Sequence, residues 1–347
     1  MQKILDEKKE YVPGFDGLRF WWILMIVLSH FFNVFSNTYP TIGFLLNGHF
    51  AAEGFFVLSG FLQFRHNGDR LANSNAIKAG VSSYYKGLKR FAVLNVMTMI
   101  PFISVTAFNG VIDWKYGIII VMNCLLVQNW VPFKDYSING ISWFLSSIMF
   151  IYLIMPFMFK MYCFIRRKIG KSQTASVFVV LICFLIASEH WFSVSLYKEP
   201  FFNLLAFMLG AAVSELFDGR ITDDSRAFSL VGILLLVLGY VYTPPVFPYL
   251  WDCVVCAVVV YFIKNTTCRL FVGEPIRKTG RISLEIMLIH YPVCCLLYPW
   301  LSEHCSGSRG TSLLFLTALV IFSFLLAYAF SLMRGSFHGN KPQRGDG

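Results

Sequence analysis

The sequence predicts an all-α integral membrane protein with about ten transmembrane helices and one re-entrant or interfacial segment. Three observations carry this. Of 347 residues, 56% are hydrophobic and only 14% charged, against about 25% charged in soluble domains. The mean hydropathy is +0.62. The apolar residues fall in long runs separated by short segments where the basic residues collect, the pattern of a polytopic membrane protein. The net charge of +10 is therefore read as topological. No nucleic-acid-binding module fits between the runs, so no nucleic-acid partner is expected.

The N-terminal MQKILDEKKEYVPGFDG is charged and lacks the basic–apolar–small order of a cleaved signal peptide, so the first span is expected to target the membrane itself. Spans are predicted near 18–37, 41–64, 91–109, 141–160, 175–193, 200–217, 227–243, 248–264, 282–301 and 312–333. Charge sets their sides. The loop 65–90 holds Arg65, Arg70, Lys78, Lys86, Lys89 and Arg90, and the segments 160–171 and 264–281 are equally basic, so all three are expected in the cytoplasm. Segments 38–47, 243–248 and 302–311 carry a single basic residue between them, Arg309, and read as outside. The sides alternate only if 91–109 or 116–133 does not cross. The stretch 116–133 is taken as re-entrant, because Asn123, Gln128, Asn129 and Trp130 suit a protein-lined cavity better than lipid. Both termini then lie in the cytoplasm and the protein is multi-pass in the plasma (inner) membrane. The chain reads as one membrane domain over 1–335 and a short polar cytoplasmic tail over 336–347. Nine cysteines are present. Cys253 and Cys256 have C-x-x-C spacing, but inside an apolar run they read as buried thiols. The acceptor triplet Asn265-Thr266-Thr267 falls on a cytoplasmic segment and is expected to be unglycosylated. There is no internal repeat.

Candidate chemistry begins in the first span, GFDGLRFWWILMIVLSHFF. Between Arg19 and His30 every residue is apolar except Ser29. Eleven helical steps come within about 20° of three full turns, so both side chains share a face, about 16 Å apart along the axis. Ionisable groups at that depth generally line a cavity and function there. In the second span, HFAAEGFFVLSGFLQF, Glu53 is a carboxylate in an apolar run that needs a partner or a proton. Arg19 and His30 are its nearest candidate partners in sequence. Gly54 and Gly60 read as helix-packing positions. In GRISLEIMLIHYPV, Ser283 and His290 share a face. His290 stands two residues before Pro292, whose ring leaves the turn partly unpaired. It reads either as satisfying that backbone or as bridging to another helix. His49, His66, His190, His304 and His338 read as solvated. Lys86, Lys89 and Arg90 read either as membrane anchors or as a cation cluster for a phosphorylated ligand. There is no P-loop, no G-x-S-x-G and no H-E-x-x-H, and Asp223-Asp224 is too isolated for a metal site. The inventory points to chemistry run by His, Arg and Glu, with no metal and no bound cofactor expected.

Four segments, in order, resemble the membrane-bound acyltransferase-3 family, whose members O-acylate carbohydrates and other envelope acceptors. The first span resembles the family's opening GLR…HF segment. HFAAEGFFVLSGFLQF resembles its G-V-D-x-F-F-V-L-S-G-F-L segment, with Glu53 at the acidic position. ISWFLSSIMFIYLIMP resembles its W-x-L-S…Y-L…P segment, and GRISLEIMLIHYPV its late G-x-I-S…Y-L-x-H-x-P segment. The resemblance covers about residues 14–293. Ile148 stands where many members have glutamate. Lys86, Lys89 and Arg90 stand for the paired arginines that precede the third span, and the proline often following them is absent. Lysine keeps the attraction to phosphate but not bidentate recognition.

The resemblance implies an acyl-CoA donor taken from the cytoplasm, most often acetyl-CoA, and His30 and Arg19 as essential groups. The acceptor it implies is a hydroxyl of an exopolysaccharide, a lipid-linked oligosaccharide or another envelope glycan. His30 is expected as general base or transient acyl carrier. Arg19 is expected to bind coenzyme A phosphate or to stabilise the thioester oxyanion. Glu53 is expected to orient His30. Lys86, Lys89, Arg90, Trp143, Ser283 and His290 are the expected substrate-binding residues. The rival class is a non-enzymatic transporter or flippase of a lipid-linked saccharide, in which the buried ionisable groups serve proton coupling. The absent repeat speaks against it. A scaffold has no need of buried ionisable groups.

The topology is open to a direct check. Cys305, with the other cysteines removed, should react with a membrane-impermeant thiol reagent on intact cells. Reaction only after permeabilisation would reverse the assigned sides.

Overall fold

The structure, a computed structural model, describes residues 11–35, 47–188, 197–216, 225–304 and 309–337. Cys305, His190, His338, Asp223 and Asp224 lie outside these residues, as do parts of the expected outer segments 38–47 and 302–311. The described residues form thirteen helices and no strand. In chain order these are α1 (Pro13–Phe35), α2 (Gly48–Ala72), α3 (Ala76–Phe108), α4 (Trp114–Leu125), α5 (Trp143–Ile169), α6 (Lys171–Ala187), α7 (Pro200–Leu216), α8 (Ser225–Val241), α9 (Pro248–Ile263), α10 (Arg269–Val272), α11 (Glu274–Arg281), α12 (Ser283–His304) and α13 (Arg309–Phe337).

The expected spans and these helices coincide in place but differ in length. The segment 65–90 is not a loop. α2 runs on to Ala72 and α3 begins at Ala76, where the Asn75 side chain accepts from Lys78 N and caps it. Lys86, Lys89 and Arg90 therefore stand on a helix. The basic segment 160–171 is likewise helical up to Ile169, and the chain turns at Gly170, where φ is 93°. α1, α3, α5 and α13 are each long and apolar enough to cross a bilayer. α11 and α12, bent by 69° at a short break, make a fifth span if taken together. The helices alone thus do not define ten spans. α6, α7, α8 and α9 are apolar but only 16 or 17 residues long, about 24–26 Å at the helical rise. α2 is long enough but carries polar residues through its C-terminal half.

The stretch 116–133 splits into two parts. α4 has 12 residues, about 18 Å, too short to cross alone. It ends at Leu126, in the left-handed conformation with φ 58°, and the chain then folds back against α5. Asn123 holds this return. Its amide nitrogen donates to Ile119 O and Tyr136 O, and its oxygen accepts from Ile138 N. Gln128 donates to Ser142 O, and Asn129 N donates to Ser146 Oγ. The irregular backbone is thus satisfied by buried amides within protein, as an environment without water requires.

Lipid-facing positions ring the molecule. Val93, Met97 and Ile100 on α3, Val180 and Phe184 on α6, and Leu314, Ile321 and Leu325 on α13 are all exposed. α2 and α7 form the centre, with nearly every described position of α7 buried. They approach so closely that a Cβ on Gly60 would overlap the Phe207 carbonyl, and one on Gly210 the Val57 carbonyl. At one end Arg166 ties three helices, donating to Glu215 of α7 at 2.7 Å and to Asp69 of α2.

Gly210→Ala should therefore cost at least about 1–3 kcal/mol, the usual penalty of overpacking, and Gly210→Leu should abolish the fold. Gly117→Ala on α4, where an added Cβ meets nothing within 4 Å, is the neutral control. Thermal unfolding in detergent reads the difference.

Candidate functional site

Two cavities lie on the same pair of helices, α2 and α5. The first has a volume of about 100 Å³ and is lined by Ile26, Ser29, His30, Gly48, His49, Ala52, Ile141, Trp143, Phe144, Tyr197 and Met287. The second, of about 200 Å³, is lined by Gln63, Ser83, Lys86, Gly87, Arg90, Tyr152 and Met155. From Ala52 to Gln63 on α2 is eleven residues, about 16 Å of helix. This matches the spacing of Arg19 and His30 on the neighbouring, antiparallel α1. Between the two levels lie aromatic rings, with Trp22 against Phe55 at 5.6 Å and Phe55 against Phe144 at 6.0 Å between centroids.

His30 lies in the first cavity. Its Nδ1 is 2.9 Å from the Ile26 carbonyl and 3.3 Å from Nε2 of His290 on α12. Tyr291 packs edge-on against its ring at 5.5 Å, and the Cys294 thiol donates to its backbone oxygen at 3.7 Å. His290 is fully buried and its Nδ1 is 3.0 Å from Ile286 O. It does not serve the backbone opened by Pro292. The carbonyl freed there is that of Leu288, and Asn139 donates to it at 3.1 Å. His290 bridges to α1 instead. Trp143 lines the same cavity, with Tyr197 edge-on to it at 5.4 Å. Ser283 opens α12, buried, two turns from His290, about 10 Å along the axis.

Glu53 does not belong to this wall. Gly48, His49 and Ala52 present one stripe of α2 to the cavity, and Glu53 is turned about 100° from Ala52. The Glu53 carboxyl lies by the Tyr249 hydroxyl and the Cys253 thiol of α9. Tyr249 donates to Asn203 Oδ1 at 3.2 Å, and Asn203 donates to Ser147 Oγ at 2.9 Å. Glu53 thus belongs to a buried network joining α2, α9, α7 and α5. The contact that the sequence expects between His30 and Glu53 is made by His290. Cys253 and Cys256 are buried free thiols on α9.

Arg19 sits at the other level. It donates to Asp16 at 2.8 Å, and Asp16 also accepts from Tyr11 Oη at 2.6 Å and from Arg281 Nε at 2.9 Å. Arg19 and Arg90 both lie within electrostatic reach of Tyr152, which lines the second cavity, but Arg19 is not itself part of that lining. Of the three neighbouring cations only Lys86 and Arg90 line that cavity. They share a stripe with Ser83 and Gly87, whereas Lys89 points off it and lies over the Tyr85 ring at 4.5 Å.

Sequence reasoning missed His49, Tyr197, Asp16, Asp135 and Lys198. His49 is solvent-accessible, as expected, but it also lines the first cavity and packs on Tyr197 at 3.9 Å between ring centroids. Lys198 donates to Asp135 at 2.8 Å. Burial disfavours its ammonium, and the Asp135 carboxylate outweighs this, so its pKa is raised. Glu199 beside it is raised by burial while accepting from Phe133 N. Asp16 had a signal, an acidic residue three before Arg19. Tyr197 and Lys198 had none, being brought in from a loop. Among the described residues no group of three His, Cys, Asp or Glu is placed to hold a metal ion.

A family model described as an acyltransferase domain matches residues 12–332, nearly the whole chain. The chain belongs to the acyltransferase-3 family of membrane acyltransferases. No curated protein and no solved structure matches it.

Proposed function

We propose that this protein is an acyl-CoA-dependent O-acetyltransferase. Its acceptor is a hydroxyl of an extracytoplasmic or lipid-linked carbohydrate, an exopolysaccharide or another envelope glycan. The observation that carries this reading is the pair of stacked cavities, one walled by cations and the other by imidazoles and aromatic rings. Lys86, Arg90 and Arg19 suit the phosphates of coenzyme A. Trp143 and Tyr197 suit a sugar ring, with the reacting hydroxyl against His30.

The reaction then needs little machinery. The acceptor hydroxyl gives its proton to His30 Nε2 while its oxygen attacks the thioester carbonyl. The tetrahedral intermediate collapses, the C–S bond breaks, and the thiolate takes the proton back from Nε2. If Nε2 attacks first, the C–S bond breaks to release the coenzyme A thiolate and the acetyl group rests on His30. The hydroxyl oxygen then attacks that acetyl carbon, its proton goes to the thiolate, and the N–C bond breaks to restore the Nε2 lone pair. The same atoms serve both routes. Arg19 lies about 16 Å along the helix from His30, which favours phosphate binding over stabilising the oxyanion. Ser283 stands between these levels, and the pantetheine arm of the donor has to pass Trp22, Phe55 and Phe144.

Transfer of radiolabelled acetyl from acetyl-CoA to envelope glycan, in membranes with matched expression, tests the assignment. His30→Ala should lose about 10²–10⁴-fold if His30 is a base, and more if it carries the acetyl group, while still binding acetyl-CoA. A well-inserted His30→Ala protein near the wild-type rate would remove the centre of this mechanism. A flippase would yield no labelled product even from the wild type.

The donor site has its own check. Lys86→Gln with Arg90→Gln should raise the KM for acetyl-CoA more than it lowers kcat, and weaker donor binding at high salt should accompany the wild type. Lys89→Gln should change neither constant appreciably, because Lys89 lies outside the cavity.

A further inference from the structure

The contact between His30 and His290 has a direction, set by what each ring nitrogen can meet. A backbone carbonyl only accepts hydrogen bonds. His30 Nδ1 lies 2.9 Å from Ile26 O, so in the neutral ring Nδ1 carries the hydrogen and Nε2 the lone pair. His290 Nδ1 lies 3.0 Å from Ile286 O, so it too is the protonated nitrogen. His290 Nε2 is therefore a lone pair, and it stands 3.3 Å from His30 Nδ1. The Nδ1–H of His30 is shared between a carbonyl of its own helix and an imidazole from a helix 260 residues away in sequence.

We propose that His290 is a positioning residue for acyl transfer. It holds His30 in the tautomer whose Nε2 lone pair is free to react, and it accepts a stronger hydrogen bond when His30 becomes an imidazolium. A neutral imidazole fills the place that a carboxylate takes in the serine-protease triad, where the third group fixes tautomer and orientation without itself taking the proton. The substitution suits the site. His30 lies among apolar and aromatic groups, with Tyr291 edge-on and Ile26 and Phe144 in the wall. An ionised carboxylate there would bear a heavy desolvation cost, and a neutral acceptor bears much less. Two helices share the task, so the geometry depends on α12 keeping its place against α1. Asn139 supports that by satisfying the Leu288 carbonyl, which Pro292 leaves without its helical donor.

No covalent step is added. When Nε2 takes the hydroxyl proton, or the acetyl group, positive charge spreads to Nδ1–H, and the bond to His290 Nε2 becomes charge-assisted. His290 neither gains nor loses a proton in the cycle.

This inference rests on the acyltransfer reading, and the test separates the two. His290→Phe keeps the ring volume and removes the acceptor. His290→Gln places an amide oxygen that can accept from His30 Nδ1–H. In the acetyl-CoA assay, His290→Phe should lower kcat at least about 10-fold, and by no more than the about 10⁴-fold lost when the orienting group of the serine-protease triad is replaced, with KM for acetyl-CoA within about twofold. His290→Gln should recover part of kcat. Histidine-selective ¹⁵N NMR of the purified protein reads the tautomer without any turnover, with His30→Ala assigning the signal. Wild type should show His30 protonated at Nδ1, and His290→Phe should show a mixture of tautomers. An unchanged kcat in a folded His290→Phe protein, or a His30 signal protonated at Nε2 in the wild type, would overturn the proposal. Equal loss in Phe and Gln variants with the tautomer unchanged would do the same, since that is the mark of packing alone. If wild-type membranes transfer no acetyl while the NMR signature holds, the donor or acceptor assignment is at fault and the paired histidines stand.

Discussion

The approach of α2 to α7 at Gly60 and Gly210 sets where everything else can be. Lipid tails are as apolar as leucine, so helices in a bilayer gain little from merely being hydrophobic and associate through close packing and hydrogen bonds. At this crossing each glycine faces a carbonyl of the opposite helix with no room for a Cβ. The contact lets α2 sit at the centre, with most of its stretch from Phe50 to Phe64 buried. Its faces then serve different neighbours. One stripe lines the His30 cavity, Glu53 turns to α9, and Gln63 reaches the cavity beside α3.

A second constraint follows from burial without water. Polar atoms inside the bundle need protein partners, and several of the buried amides find them in chains that cross helices. Asn203 joins Tyr249 to Ser147, Asn129 bonds Ser147 and the Lys198 carbonyl, and Asn139 bonds Leu288. Each amide fixes one piece of irregular backbone or one helix contact. Together they hold the 126–142 segment against α5 and carry Trp143 and Ile141 to the His30 cavity. Loop and site are thus one construction.

The two cavities give the spacing of Arg19 and His30 a meaning that a single site would not. The arginine belongs to the level of Lys86 and Arg90, and the histidine to the level of Trp143 and Tyr197. Aromatic side chains fill the space between. On the proposed reading, an anionic donor at one level and a hydroxyl at the other would have to be kept apart, because phosphates and a reactive thioester call for different surroundings. Charge belongs near the mouth, and the reacting centre belongs where water is scarce.

Much of this was legible in the chain itself. Apolar runs placed most helices within a few residues, because a bilayer demands long unbroken stretches and tolerates little else. The R-to-H spacing of α1 announced two ionisable groups on one face, since helical periodicity needs no partner to be read. Helix ends were misplaced where polar residues continue a helix, as between Arg65 and Arg90, because charge marks the membrane boundary and not the end of hydrogen bonding. The pairing of side chains from distant segments was decided only by the tertiary structure. Glu53 and His30 were matched by nearness in sequence, but 100° of helical rotation sends Glu53 to α9. His290, Tyr197 and Lys198 arrive from elsewhere in the chain. Sequence fixes which face of a helix a residue occupies, whereas packing alone decides which helix that face meets.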